Sequence, residues 1–448
     1  MDAFLAARAI IALSLGFHII FAVAGVGLPL MAVFAEIHAV RKHDDTYLQL
    51  AKSWSKLTAV LFAVGAVSGT VLSFELGILF PAFMKQFGSV FGIPFALEGF
   101  AFFIEAIFLG IYLYGWNRMT RLQHILAGAV TSLGGLASAV FVTTANAWMN
   151  VPTGFKLVGN QIVDVDPLAV ISSPFVLHEV LHMVFSAYLA VGLGVAAIHG
   201  YAYLKSEPGL RTFHRKALSL AINLAIPFAL LQPIVGHIAG QMVAKHQPLK
   251  FAAMERHYVT ESGAALAIGG IVDDEARSLR YAIKIPAGLS FLATNTFDGV
   301  VRGLDEFPSA DWPNPIVHYS FQLMVALGSL IAAAALWIGY LMIRRKTLAI
   351  TPFFVSLLAF STLASFACIE LGWIVTEVGR QPWIVYNLMR TVQSVEPLPS
   401  NLNAIFGVVC FVYSVLALAV IIVLKRLLFV PHRTVNCKNV KGDSVVLG

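Results

Sequence analysis

The chain has 448 residues, 58% of them hydrophobic and only 12% charged, with a mean hydropathy of +0.80. Those values lie far from a soluble domain and fit a polytopic, all-α membrane protein. The formal charge of +6 implies no nucleic-acid partner, because basic residues in a membrane chain mainly fix its orientation.

The N-terminus, Met-Asp-Ala-Phe, lacks the basic start and small-residue cleavage site of a signal peptide, so the first span is expected to be retained. A helical span needs about 20 apolar residues. Nine candidates follow in order: 9–38, 54–80, 94–117, 124–147, 174–203, 217–240, 317–343, 350–378 and 403–425. They imply a single integral membrane domain over 1–448, without internal repeat or low-complexity segment. Cys368, Cys410 and Cys437 form neither a metal-ligand spacing nor a disulfide framework.

Basic residues set the orientation. Arg41, Lys42, Lys52 and Lys56 follow the first span, and Arg118 and Arg121 the third. Lys205, Arg211, Arg215 and Lys216 follow the fifth, Arg344, Arg345 and Lys346 the seventh, and Lys425 and Arg426 the ninth. The opposite loops hold few: Lys85, Lys156, Arg380 and Arg390. The positive-inside rule then places the N-terminus in the periplasm and the C-terminus in the cytoplasm, with Arg8 a small dissent. Residues 241–316 become a long periplasmic segment between the sixth and seventh spans, and structureless segments of that length are usually functional or disordered.

Ionisable groups inside spans are expensive and usually mark a site. At ~1.5 Å per residue, position becomes depth. His18, Glu98, His182, Met324 and Glu377 then all fall in the outer half of the bilayer. Glu105 and Glu370 lie seven residues deeper than Glu98 and Glu377, on the same helical faces about 10 Å further in. His178 and His182 share a helical face, and with Glu179 they match the zinc-protease signature His-Glu-x-x-His. A catalytic zinc would need a third ligand and water access, and no span supplies the Asn or Asp-Gly motif of intramembrane metalloproteases. His182 and His18 could equally be packing histidines, and Met324 core filler. Imidazole plus thioether is, however, a known axial pair for haem. Two carboxylates on one apolar face, Glu98 and Glu105, must be protonated or paired. Glu75, near an outer end, reads as an interfacial charge; Glu179 and His178 read as interface residues. Lys250 and Glu255 read by default as a solvated pair.

At Glu370-Leu-Gly-Trp-Ile-Val-Thr-Glu377 followed by Gly379-Arg-Gln-Pro-Trp383, the chain resembles subunit I of the cytochrome bd-type quinol oxidases. The likeness covers essentially the whole length. It includes Phe17-His-Ile-Ile-Phe21, Leu97-Glu-Gly-Phe100, Ala145-Asn-Ala-Trp-Met149, Leu181-His-Met-Val184 and Leu249-Lys-Phe-Ala-Ala-Met-Glu255.

The resemblance implies a haem-bearing subunit of a terminal oxidase in the bacterial inner membrane. It would oxidise ubiquinol or menaquinol at the periplasmic side and reduce O2 to water, separating charge without pumping. His182 and Met324 look like the axial ligands of a low-spin haem b. His18 and Glu377 look like the single ligands of two high-spin haems, one a haem b and the other haem d or a third haem b. Glu98 would sit beside that pair, and Trp373 between haems as an electron bridge. Arg380 belongs to the Gly-Arg-Gln-Pro-Trp signature next to Glu377. Lys250 and Glu255 match quinol-binding positions, and Glu105 and Ser138 match a proton route from the cytoplasm. Partners implied are oxidase subunit II, a small single-span subunit and membrane lipids. Gln322 stands where many relatives carry Arg, and Glu98 and Glu105 are one residue closer together than in better-known members. Both features resemble the cyanide-insensitive branch, where haem d can be replaced by haem b. The rival classes are an intramembrane zinc protease using His178, Glu179 and His182, and a haem-free cation-coupled transporter.

Overall fold

The computed structural model describes residues 2–159, 161–345, 349–395 and 401–429. Lys346, Cys437, the C-terminal tail expected inside and the side chain of Arg426 lie outside the described residues.

Among the described residues, nine helices are long and apolar enough to cross a membrane. They are α1 (Ala3–Lys42), α2 (Asp45–Leu79), α3 (Pro81–Tyr114), α4 (Arg121–Asn150), α5 (Val176–Lys205) and α6 (Pro208–His246). A short helix, α7 (Pro248–Glu255), precedes α8 (Ile316–Arg345), α9 (Pro352–Gly379) and α10 (Leu402–Phe429). Most run beyond the apolar stretch, because polar residues at a span's end continue the helix into the interface. The third differs most. It starts at Pro81, where a missing N–H costs nothing, and stops before Gly115, so Lys85 lies within the helix.

Local chemistry sets several boundaries. The Asp44 carboxylate accepts the Thr46 N–H at 2.9 Å and starts α2. Thr120 and Gln123 form a capping box for α4, and Thr351 accepts the Phe354 N–H at 3.2 Å at the start of α9. Successive helices pack as antiparallel hairpins, and α1, α4, α5 and α9 meet at the centre. A Cβ on Gly27 would come 2.6 Å from Val191, so only glycine lets α1 approach α5 this closely. By contrast α10 packs mainly on α1 and α2, and only 11% of its apolar window is buried, which leaves a broad face for lipid or a partner.

The segment between α6 and α8 begins at residue 247 rather than 241, because α6 continues through His246. It is ordered. Glu261–Ser262 pairs with Val300–Val301, Leu266–Ile268 with Ile283–Ile285, and Ile271–Asp273 with Ser278–Arg280, each antiparallel and nested inside the last. The buried Arg256 guanidinium donates to both Asp274 oxygens and, at 2.9 Å, to the Pro313 carbonyl. Gln322 donates to the Ala267 carbonyl and accepts the Gly269 N–H, both at 3.1 Å, and so ties this segment to α8.

Candidate functional site

The densest polar cluster lies where the ends of α4 and α9 meet α7. Glu377 accepts on one carboxylate oxygen from Arg380 at 2.6 Å and on the other from the Asn146 amide. The buried Arg380 keeps Nε and Nη1 without a partner. Asn150, one turn beyond Asn146 and fully buried, donates to Asn146 Oδ1 at 2.9 Å and accepts from the Lys250 ammonium at 2.6 Å. Gln247 adds a bond to the Asn150 carbonyl at 2.8 Å.

Lys250 and Glu255 are both buried, which corrects their reading as a solvated pair: α7 is packed among α6, α8 and α9. Five residues apart on a helix, they do not share a face. Lys250 crosses Gly379, whose Cβ would lie 3.1 Å from its stem. Burial, and then the charge of Arg380, pulls the ammonium well below its ordinary value against the attraction of Glu179 and Glu377. Burial alone pushes Glu255 up to about 8, and its Oε2 has no partner. Glu179 is likewise no interfacial charge, since its Oε2 is buried and unpartnered. His178 is buried edge-on against Phe175, with ring centroids 4.7 Å apart.

His182 sits on α5 with a buried Nδ1 that has no partner, its Cε1 3.3 Å from where Gly236 of α6 would carry a Cβ. Gln232, one turn earlier on α6, donates to the His182 carbonyl at 3.0 Å. Met324 on α8 brings its sulfur within 3.4 Å of the corresponding position of Gly372 on α9, beside the half-buried Trp373. These four helices pack on one another.

His18 of α1 lies against Gly69 of α2, with its Nδ1 3.0 Å from the Ser68 hydroxyl. That hydroxyl has a single proton, directed at the Val64 carbonyl at 2.9 Å. Accepting from His18 Nδ1–H, it would leave the Nε2 lone pair free. Above this pair, Ser14 donates to Glu75 at 2.8 Å. Glu75 is thus a buried group between α1 and α2, which its place near a helix end had concealed.

Glu98 accepts from Ser138 of α4 at 2.9 Å. Seven residues on, the buried Glu105 packs against Gly134 and Gly135 of α4, with Oε1 unpartnered. The same stripe continues at Tyr112, whose hydroxyl donates to the fully buried Glu36 at 2.9 Å; His124 lies 2.9 Å from that carboxylate too. Glu370 reaches α1 beside Gly16. Sequence reasoning passed over Ser68, Asn150, Glu36 and His124. Asn146 and Asn150, four apart at the end of an apolar span, were a usable signal.

The donor set suits iron porphyrin. One imidazole with an unpartnered Nδ1 faces a glycine, a thioether faces another, and a second imidazole has one nitrogen beside a hydroxyl, the usual support for a ligating histidine. Two free guanidinium donors beside Glu377 could meet the carboxylates such a group carries. Among the described residues no three His, Cys, Asp or Glu gather in a metal-holding group, so His178, Glu179 and His182 do not form a zinc centre with a third protein ligand.

Comparison with known proteins agrees in length and fold. The family model for "Cytochrome bd terminal oxidase subunit I" matches residues 6–429. A putative cytochrome bd menaquinol oxidase subunit I of Bacillus subtilis (strain 168) is 40% identical, covering 95% of this chain and 96% of the relative. A cytochrome bd ubiquinol oxidase subunit 1 of the same organism is 32% identical, covering 88% and 86%. The solved structure of bd oxidase from Geobacillus thermodenitrificans superposes with a TM-score of 0.88 at 37% identity, covering 95% of this chain and 98% of that one.

Proposed function

The chain belongs to the cytochrome bd terminal oxidase subunit I family, and we propose that the residues gathered in its outer half are the redox sites of that enzyme. It is a multi-pass protein of the bacterial inner membrane and a quinol:oxygen oxidoreductase subunit. In this reading His182 and Met324 hold a low-spin haem b. His18 and Glu377 each hold one high-spin haem, one of them haem b and the other haem d or a third haem b. When bound, these groups supply electron transfer from quinol and four-electron reduction of O2. The observation that carries the reading is the buried, unpartnered His182 Nδ1 on a ring set against a glycine, with a thioether similarly set on the next helix pair.

The remaining steps belong to the protein's own residues. Lys250 and Glu255, on a buried helix under the outer segment, bind the two quinol hydroxyls. A lysine brought down by burial is a competent base for a quinol proton near neutral pH. Its release is periplasmic because the outer segment is. Protons for water come from the cytoplasm, past Glu36, His124 and Tyr112 to Glu105, and thence to Glu98 and Ser138. Arg380 holds the Glu377 carboxylate in place through its 2.6 Å bond, and Trp373 stands in the helix between Glu370 and Glu377 as the electron bridge. The chain works with a subunit II, and the exposed faces of α2, α3, α8 and α10 leave room for it, for a small single-span subunit and for lipid. The relatives' names divide between menaquinol and ubiquinol.

A reduced-minus-oxidised spectrum of the purified oxidase tests the assignment. Bands from low-spin and high-spin haem are expected; a colourless protein holding stoichiometric zinc would overturn it.

A further inference from the structure

Lys250 and Glu377 lie on different helices, yet a single file of hydrogen bonds joins them. The Lys250 Nζ donates to the Asn150 side-chain carbonyl oxygen at 2.6 Å. Gln247 donates to that same oxygen at 3.2 Å, which fixes the amide from a second side. Asn150 then presents its NH2 to Asn146 Oδ1 at 2.9 Å, and Asn146 presents its own NH2 to Glu377 Oε1. Every donor points the same way, from ammonium to carboxylate. With a donor at one end and a carboxylate at the other, the two amides line up in one direction, and each polarises the next. All members except Glu377 itself are buried, so water does not substitute for a lost bond. The chain is also braced, because the Lys250 stem crosses Gly379, the residue before Arg380.

We propose that Asn150 is a positioning residue of the quinol reaction, holding Lys250 in place and, through Asn146, coupling its position to that of Glu377. This rests on the reading that Lys250 contacts quinol and Glu377 holds an iron. The file gives the two ends of the reaction a direct mechanical and electrostatic link that does not run through the low-spin site. A disturbance at the quinol end therefore registers at the high-spin pair.

The test uses the intact two-subunit oxidase with duroquinol as substrate, reading KM, kcat and the reduced-minus-oxidised spectrum. Asn150→Leu removes the side-chain bonds to Lys250, Gln247 and Asn146. It is expected to raise KM about tenfold, the effect of losing one buried charged hydrogen bond, and to shift the high-spin bands while leaving the low-spin bands in place. Asn150→Asp keeps an acceptor for Lys250 but has no donor for Asn146. It is expected to shift the high-spin bands with KM changed by less than about threefold, because only the bond to Lys250 survives. Wild-type high-spin bands in Asn150→Asp overturn the coupling, and that variant decides alone if Asn150→Leu does not accumulate. Lys250→Gln separates the two levels. An unchanged KM there overturns the quinol reading itself, whereas a raised KM beside a silent Asn150→Leu overturns only the relay.

Discussion

Removing the hydroxyl of Ser68 should loosen whatever His18 holds. In the structure that hydroxyl lies 3.0 Å from His18 Nδ1 and steadies the ring. Ser68→Ala removes that partner from the ring nitrogen, a cost of about 1–3 kcal/mol. Loss of such an outer partner typically lowers metal affinity by about 10–100-fold, or about 1.4–2.7 kcal/mol at 1.36 kcal/mol per decade, so the two routes agree. Gly69→Ala should act through space instead. Its Cβ would lie 2.9 Å from His18 Cε1, so the ring must move, at an overpacking cost of about 1–3 kcal/mol. Gly65, one turn away on the same helix, is the control. Its Cβ would meet Phe21 at 3.5 Å, an ordinary contact, so Gly65→Ala should behave as wild type. The assay is haem content per chain by pyridine haemochrome, with the rate of haem transfer to apomyoglobin. Ser68→Ala and Gly69→Ala should each lose haem faster than wild type and Gly65→Ala should not; wild-type content and transfer rate in both would refute the assignment of His18.

Met324→Leu keeps volume but removes the sulfur facing Gly372, so the low-spin bands should vanish from the difference spectrum while the high-spin bands stay; intact low-spin bands would reject Met324 as a ligand. Glu105→Gln should slow O2 consumption at least about a hundredfold, the usual worth of a positioned proton carrier, with all haem bands unchanged. Glu255 is held protonated by burial, with a pKa of about 8 against an ordinary 4.5. The folded chain then binds the proton more tightly than the unfolded one, so its contribution is complete below about 4.5 and is lost as pH rises towards 8. Glu255→Gln should flatten the decline of thermal stability across that window; an identical pH profile would show that Glu255 is not buried in the protonated form.

The spans were legible because a bilayer demands about 20 apolar residues and little else in a chain supplies them. Their ends were not. Lys85 read as a loop residue, yet a helix carries such a residue into the interface without cost, and α3 runs through it. His18, Glu98, Glu105 and His182 were legible because ionisable groups are conspicuous in hydrocarbon. Their partners were silent: Ser68 can satisfy itself on its own helix's carbonyls, so nothing in the sequence marks it. Glu75 was misjudged because depth along one helix says nothing of the neighbour, and Ser14 covers it. Lys250 and Glu255 were misjudged for a related reason, because α7 is buried against α6, α8 and α9, which nothing in its own eight residues announces. The link through Asn146 and Asn150 needed three-dimensional packing, since its ends are 127 residues apart by the numbering of Lys250 and Glu377.

The most direct test of the whole arrangement is where protons appear and disappear. With the oxidase oriented in sealed vesicles so that residues 247–315 face outward, quinol oxidation under O2 should acidify the outside by about one proton per electron, and the lumen should lose about the same number. Protons released on the α4 His124 side, or more than about one per electron outside, would contradict a quinol site above the haems and a proton supply from below.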